Sequence, residues 1–231
     1  MFSLIVPTYN EAANVLPLLE AVHAVLTDQS HEIIIVDDNS PDQTCKIAEE
    51  FSKTHPWIRV FRRMNERGLS SAVIRGFELA HGDILGVMDG DLSHDERILP
   101  QLLDAIQSGA DLAVGSRRIP GGGAIEWPWY RRLTSSMATT LAKVLLDIDL
   151  SDPMSGYFIL RRDLYEKIKH RLEPQGYKIL LEIYCKSRPS KTREIPFVFR
   201  NRREGHSKLT GSVMREYFKM LFDLKRHEAS F

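Results

Sequence analysis

The sequence predicts an α/β fold with a mainly parallel central sheet flanked by helices, and three observations predict it. Short apolar runs alternate with segments of helical period through the first half of the chain. Those runs lack polar alternation, so both faces of each strand are buried, as in a parallel sheet covered by helices on either side. The runs then give way to polar clusters, at the positions where open parallel sheets bind ligands.

Phe2 to Val6 is the first run, and Val15, Leu18, Leu19, Val22 and Leu26 follow it at the three- and four-residue steps of a helix. Glu32 to Val36 is the second, after which Ile47, Ala48 and Phe51 again step helically. Ile58 to Phe61 and Ile84 to Met88 complete a βαβαβαβ pattern. A helix opening near Pro100-Gln101-Leu102-Leu103 leads to a fifth run, Leu112-Ala113-Val114. The rhythm breaks after Ser116. Arg117-Arg118-Ile119-Pro120-Gly121-Gly122-Gly123 carries too large an ordering entropy for regular structure, so a flexible loop is expected over 117–126. Leu133, Met137, Leu141, Val144, Leu145 and Ile148 mark one face of an amphipathic helix. Tyr157 to Leu160 and Ile195 to Phe199 read as further strands. An amphipathic helix over about 212–227, with Val213, Tyr217 and Leu221 on one side, ends the pattern. At 231 residues, one domain over 1–231 is the expected organisation.

Lys+Arg and Asp+Glu both number 31, so there is no global basic field and no nucleic-acid partner is expected. Cys45 and Cys185 lie far apart and form neither a metal-spaced pair nor a disulfide framework, which fits a reducing compartment. No apolar stretch approaches the roughly 20 residues a membrane span needs.

The polar run ends carry the chemistry. Asp89-Gly90-Asp91 follows the fourth run, and two carboxylates separated by one small residue can point into one cleft. Hard oxygen ligands of this kind suit Mg²⁺ or Mn²⁺. Its bland alternative is a solvated acidic turn. The first run leads into Pro7-Thr8-Tyr9-Asn10-Glu11, which contains no glycine, so it cannot form the backbone phosphate cradle of a dinucleotide fold or phosphate loop. A cation held by Asp91 would neutralise phosphate instead, leaving Pro7, Tyr9 and Glu11 to pack against or hydrogen-bond a base. Asp38, after the second run, could accept from a base or ribose hydroxyl, or could serve as an Asx turn opening a helix over 41–50. Arg117, Arg131, Arg202 and Lys208 form a later cationic group, and arginine forks bind phosphate through paired charge-assisted hydrogen bonds.

With Pro7-Thr8-Tyr9-Asn10-Glu11, Val36-Asp37-Asp38, Gly68-Leu69-Ser70, Asp89-Gly90-Asp91-Leu92-Ser93-His94 and Gly205-His206-Ser207-Lys208-Leu209 in this order, the chain resembles the polyprenyl-phosphate (dolichol-phosphate) mannose synthases. These belong to inverting glycosyltransferase family 2, whose GT-A fold is Rossmann-like. Asp152-Pro153-Met154-Ser155-Gly156-Tyr157 and the segment from Arg202 to Leu209 tie the resemblance to the polyprenyl-phosphate branch. The resemblance implies that Pro7, Tyr9, Glu11, Val36, Asp38, Asp89 and Gly90 line the nucleotide site. It implies that Asp89 and Asp91 serve donor and metal, and that Arg117, Arg131, Arg202 and Lys208 hold donor and acceptor phosphates. Relatives often carry glutamine where this chain has Ser93, so Ser93 is a third metal candidate by position.

The implied reaction transfers a hexose, with inversion, from a nucleotide sugar to a polyprenyl (dolichyl) phosphate. Mannose from GDP-mannose is the favoured donor, with UDP-glucose as the alternative. A noncatalytic nucleotide-sugar-binding protein is a separate reading. So is a phosphatase of the haloacid-dehalogenase type, although its Asp-x-Asp should follow the first strand. A peripheral place on the cytoplasmic face of a membrane is expected, reached directly or through a membrane-anchored partner. Trp127, Trp129 and Tyr130 with Arg131 and Arg132, at the start of the long helix, are suited to the bilayer interface, as is the terminal helix with Lys219, Lys225 and Arg226. For the apolar face of the long helix, packing in the core or against a second subunit, as in a homodimer, is the favoured reading.

Overall fold

Strands β1 (Phe2–Thr8), β2 (His31–Asp37), β3 (Ile58–Arg62), β4 (Ile84–Val87) and β5 (Leu112–Ser116) form on the five apolar runs. A computed structural model describes residues 1–125, 129–174, 178–200 and 211–228, without the side chains at 130–132, 211–216 and 227–228. Helices α1 (Val15–Val25), α2 (Thr44–Ser52), α3 (Leu69–Leu79) and α4 (Leu99–Gln107) separate the five strands. After β5 come β6 (Gly123–Ala124), α5 (Trp129–Leu146), β7 (Phe158–Arg161), α6 (Arg162–Ile168), α7 (Ile179–Ser187), β8 (Thr192–Pro196), β9 (Val198–Phe199) and α8 (Gly211–Glu228). Seven strands make the main sheet in the order β3-β2-β1-β4-β7-β5-β8.

All neighbouring pairs in that sheet are parallel except those made by β7, which runs antiparallel between β4 and β5. The reversal matters for function. Phe158, at the start of β7, lies beside Val87 and Val114 near the carboxyl ends of β4 and β5. The preceding loop, with Asp152, Ser155 and Gly156, is therefore delivered to the ligand-binding rim.

Alternation along the strands sorts the apolar side chains into two layers. Leu4, Val6, Ile33 and Ile35 join Val15, Leu18, Leu19 and Val22 of α1 and Leu102, Leu103 and Ile106 of α4. Ile5, Ile34 and Val36 join Ala72, Val73 and Phe77 of α3 and Ile179, Leu180 and Ile183 of α7. Burying one Leu, Ile or Val stabilises the fold by about 1.5–3 kcal/mol, so these layers fix the strand ends firmly.

Three sequence expectations change. The Ile195 to Phe199 run divides, because Pro196 has no N–H to continue a ladder and Phe197 turns inward. Its two halves become the end of β8 and β9, and β9 pairs with β6 in a small second sheet. The glycine-rich segment thus contains a short strand at Gly123–Ala124, inside the stretch expected to be loop. The apolar face expected on α5 is only partly packed: Leu145 and Ile148 turn inward, but Leu133, Met137, Leu141 and Val144 are exposed. The buried side is formed by Ala142 and Leu146, which pack with Leu181 of α7 and Tyr217, Leu221 and Leu224 of α8.

Candidate active site

The first rim loop is tied to the β2–α2 turn by its own backbone. Its backbone N–H groups are already used: Asn10 N donates to Ser40 Oγ (3.0 Å), Glu11 N to Thr44 Oγ1 (2.9 Å) and Ala12 N to Asp42 Oδ2 (3.0 Å). Asp37, fully buried, accepts from Thr8 Oγ1 (3.0 Å) and from Ser40 N (2.8 Å), tying the ends of β1 and β2 together. Local capping of the β2–α2 turn belongs to Asp37 and Asp42 rather than to Asp38. Asp38 reaches the other way. Its carboxylate accepts from Arg63 Nε (2.7 Å) and Nη2 and from Gly68 N (2.9 Å), bracing the loop before α3.

Tyr9 stands at this rim with the Arg67 guanidinium 5.0 Å above its ring, and Glu11 accepts from Asn14 Nδ2 (2.7 Å). Pro7 pairs in register with Val36. Val36 itself is a core residue, fully buried among Ile5, Ile34 and Phe77. Its side chain builds the floor beneath the strand ends and does not line an open cleft, because an in-pointing position on a parallel strand faces the helix layer.

At the end of β4 the chain turns through Asp89-Gly90-Asp91. Leu92 takes a left-handed backbone conformation (φ 59°), folding Ser93 and His94 back toward the carboxylates. Ser93 donates to Asp91 Oδ1 from its amide (3.1 Å) and from its hydroxyl, and its carbonyl accepts from Arg200 N (2.9 Å). A carboxylate oxygen of Asp89, one of Asp91 and a ring nitrogen of His94 lie within 4.8 Å of one another. Asp91 and His94 are buried and Asp89 half-buried. This oxygen-rich set, with one nitrogen, fits a divalent cation.

His94 is the member of this set that the sequence does not single out as a candidate ligand, although its place in the motif is visible. Its ring lies among Tyr157 (5.1 Å between centroids), Phe197 (5.4 Å) and Phe199 (5.5 Å). Burial holds the imidazole below its ordinary value, outweighing Asp89 and Asp91, which favour protonation.

The cationic side begins at Arg117, directly after β5. Arg117 Nε donates to Asp152 Oδ2 (2.7 Å), Nη2 to Oδ1 (2.8 Å) and the backbone N to Oδ2 (3.0 Å). Burial opposes ionisation of Asp152, but the hydrogen bonds and charge of Arg117 outweigh it and hold the carboxyl below its usual range. The Arg117 guanidinium also sits 5.6 Å from the Phe199 ring centroid, so Phe199 forms a shared wall between His94 and Arg117. Lys178, just before α7, is a further cation that no motif signalled. Burial and then the charge of Arg117 push its ammonium below the usual lysine value, while Asp89 and Asp152 pull the other way.

Arg131 falls in the first turn of α5, and its side chain lies outside the described residues, as do Arg202 and Lys208 entirely. Trp127 also lies outside them. No described helix is long and apolar enough to cross a membrane.

Comparison with known proteins adds independent findings. The model of "Glycosyl transferase family 2" matches residues 3–169. A dolichol-phosphate mannosyltransferase of Pyrococcus furiosus is 44% identical over 228 residues, 98% of this chain, and the chain spans 64% of that relative's length. A dolichol-phosphate mannosyltransferase of Saccharomyces cerevisiae is 39% identical over 233 residues, covering 96% of this chain and 86% of its own. Among solved structures, the glucosyl-3-phosphoglycerate synthase of Mycobacterium tuberculosis, in complex with Mn²⁺, UDP and glucosyl-3-phosphoglycerate, aligns with a TM-score of 0.77 at 19% identity. That alignment covers 97% of this chain and 79% of that one, a likeness of fold.

Proposed function

Since this chain is a glycosyltransferase belonging to family 2 and, within it, to the dolichol-phosphate mannosyltransferases, we propose that it transfers mannose from GDP-mannose to a polyprenyl or dolichyl phosphate, with inversion and release of GDP. The observation that carries this reading is the pairing of Asp89, Asp91 and His94 with Arg117 across Phe199. One side suits the cation of a nucleotide diphosphate and the other an anionic acceptor. The residues act as one catalytic domain over 1–231.

Pro7, Tyr9, Glu11, Asp38 and Gly90 border the nucleotide, with Asp38 acting through its brace on the Gly68 loop. Asp91 and Asp89 hold Mg²⁺ or Mn²⁺, with Ser93 orienting Asp91. When bound, the cation neutralises charge on the departing diphosphate. A phosphomonoester has its second pKa around 6, so near neutral pH the acceptor oxygen is already largely ionised. No strong general base is therefore required, and alignment becomes the main task of the protein. Arg117, set by Asp152, aligns phosphate from the β5 end, and Arg131, Arg202 and Lys208 are assigned to the donor and acceptor phosphates.

The acceptor is a lipid, and α5 and α8 offer a surface for it. Trp129, Leu133, Met137 and Val144 on α5 are exposed, as are Phe218 and Phe222 on α8. Exposed Lys219, Lys225 and Arg226 flank the α8 residues. We assign this face to peripheral contact with the cytoplasmic leaflet, through aromatic and basic side chains that favour the interface.

The test is a donor panel of radiolabelled GDP-mannose, UDP-glucose and UDP-galactose, each with polyprenyl phosphate and Mg²⁺ or Mn²⁺, followed by organic extraction. Label in the organic phase from GDP-mannose is expected. Efficient transfer from UDP-glucose alone would replace mannose by glucose, and GDP binding without any extractable product would mark a noncatalytic binder.

A further inference from the structure

The buried ring of His94 has an Nδ1 with no hydrogen-bond partner among the described residues. A side chain 2% exposed leaves that nitrogen no route to bulk water. Buried polar groups in folded proteins are satisfied with few exceptions, and an orphan at a binding site points to a missing partner. This one is aimed at the acidic pair: Nδ1 lies 4.0 Å from Asp89 Oδ2, and the three ligand atoms of Asp89, Asp91 and His94 fall within 4.8 Å of one another.

The separation of His94 from Asp89 suits ligation better than direct hydrogen bonding. Two atoms bound to one small divalent cation at about 2.1 Å each can be at most about 4.2 Å apart. The Nδ1 to Oδ2 distance lies inside that bound and beyond any hydrogen bond. The ring is held in place by Tyr157, Phe197 and Phe199. Ser93, by contrast, spends its hydroxyl proton on Asp91 and acts by orienting that carboxylate.

We propose that His94 is a direct ligand of the cation through Nδ1, giving a two-carboxylate, one-imidazole set that prefers Mn²⁺ to Mg²⁺. The preference follows because imidazole suits transition metals, whereas Mg²⁺ takes oxygen ligands almost exclusively. The inference rests on the reading above that a cation binds at Asp89 and Asp91.

Pulsed electron paramagnetic resonance of the Mn²⁺-loaded full chain tests it without any substitution. A directly coordinated nitrogen coupling is expected, and it should change when the chain is grown with ¹⁵N-histidine. His94→Gln should abolish that coupling and weaken Mn²⁺ binding about 10-fold or more, whereas His81→Asn, at an exposed position before the amino end of β4, should leave both unchanged. Mn²⁺ binding that is lost in Asp91→Asn but shows no histidine nitrogen coupling would overturn the His94 proposal and leave the cation reading intact. Coupling that survives in folded His94→Gln would overturn it equally. Absence of any Mn²⁺ binding at the Asp89–Asp91 site would instead defeat the underlying reading, and the ligand proposal with it.

Discussion

Arg117 and Asp152 are clasped by two side-chain hydrogen bonds, Nε to Oδ2 at 2.7 Å and Nη2 to Oδ1 at 2.8 Å, with a third from the Arg117 backbone N at 3.0 Å. One residue leaves the end of β5 and the other precedes the reversed strand β7. Their pairing therefore joins the two loops that frame the proposed acceptor side of the site. A guanidinium held on both forks by a fully buried carboxylate has little freedom left, and that preorganisation is what phosphate alignment requires.

Replacing Asp152 by Asn should consequently affect both stability and rate. Removing one partner of a buried ion pair costs about 3–5 kcal/mol, because the remaining charge is stranded. We expect a loss near the lower figure by urea denaturation, since Asn keeps one acceptor, and at least a 10-fold fall in transfer. Arg117→Gln added to Asp152→Asn should recover part of the stability but none of the activity. A double variant as unstable as the sum of the singles would contradict the pairing as described.

Gly156 sits where a side chain would press on the metal side. A Cβ built there would stand 3.1 Å from both carboxylate oxygens of Asp89 and 3.3 Å from its Cγ. Gly156→Ala should therefore displace Asp89 by a few tenths of an ångström, weakening Mn²⁺ binding about 10-fold while changing stability by less than about 1 kcal/mol. Mn²⁺ titration followed by electron paramagnetic resonance reads this directly. Unchanged affinity would show that Asp89 is not a ligand.

Much of this arrangement was legible in the sequence because buried parallel strands write themselves as Ile and Val runs. The residues that follow such runs are the ones the sheet carries to its rim. Asp89 and Asp91 could be found that way, and the glycine-free first turn folds with its amides donating to Ser40, Thr44 and Asp42. The direction of β7 could not, since an apolar run of four residues has no polarity written in it. Pairings across long separations were also hidden: Asp152 with Arg117, and Asp38 with Arg63 and Gly68, depend on loops meeting in space. His94 stood in view inside the motif, but its enclosure by Phe197 and Phe199 comes from the distant segment where β8 gives way to β9. On α5 the apolar periodicity was read correctly, yet periodicity does not say which of two faces meets α8.

That outward face makes a separable prediction about the membrane. Trp129, Met137, Val144 and Phe222 are exposed. Flotation with liposomes containing anionic lipid should recover the native chain, and replacing Trp127 and Trp129 together by Ser should reduce recovery several-fold without changing the far-ultraviolet circular dichroism. Retained flotation together with a halved mass in sedimentation would assign the face to a second copy of the chain instead.

The two thiols carry a pH prediction. Burial, reinforced by the Glu49 carboxylate, pushes Cys45 up to about 12, and burial pushes Cys185 up to about 11. A raised value means less thiolate at a given pH, and the thiolate is the reactive form. At pH 8 both cysteines should resist iodoacetamide in the native chain and react promptly in urea, with mass spectrometry counting the adducts. Native alkylation at the denatured rate would contradict the burial of either thiol.

The central claim is that Asp89 and Asp91 hold a cation on which transfer to a lipid phosphate depends. Its most direct measurement is single-turnover transfer from radiolabelled GDP-mannose to polyprenyl phosphate by Asp91→Asn, at saturating Mn²⁺, with circular dichroism confirming the fold. We predict a fall of at least about 100-fold, the scale for losing one electrostatic contributor to a transition state. Near-native turnover in that variant would contradict the account.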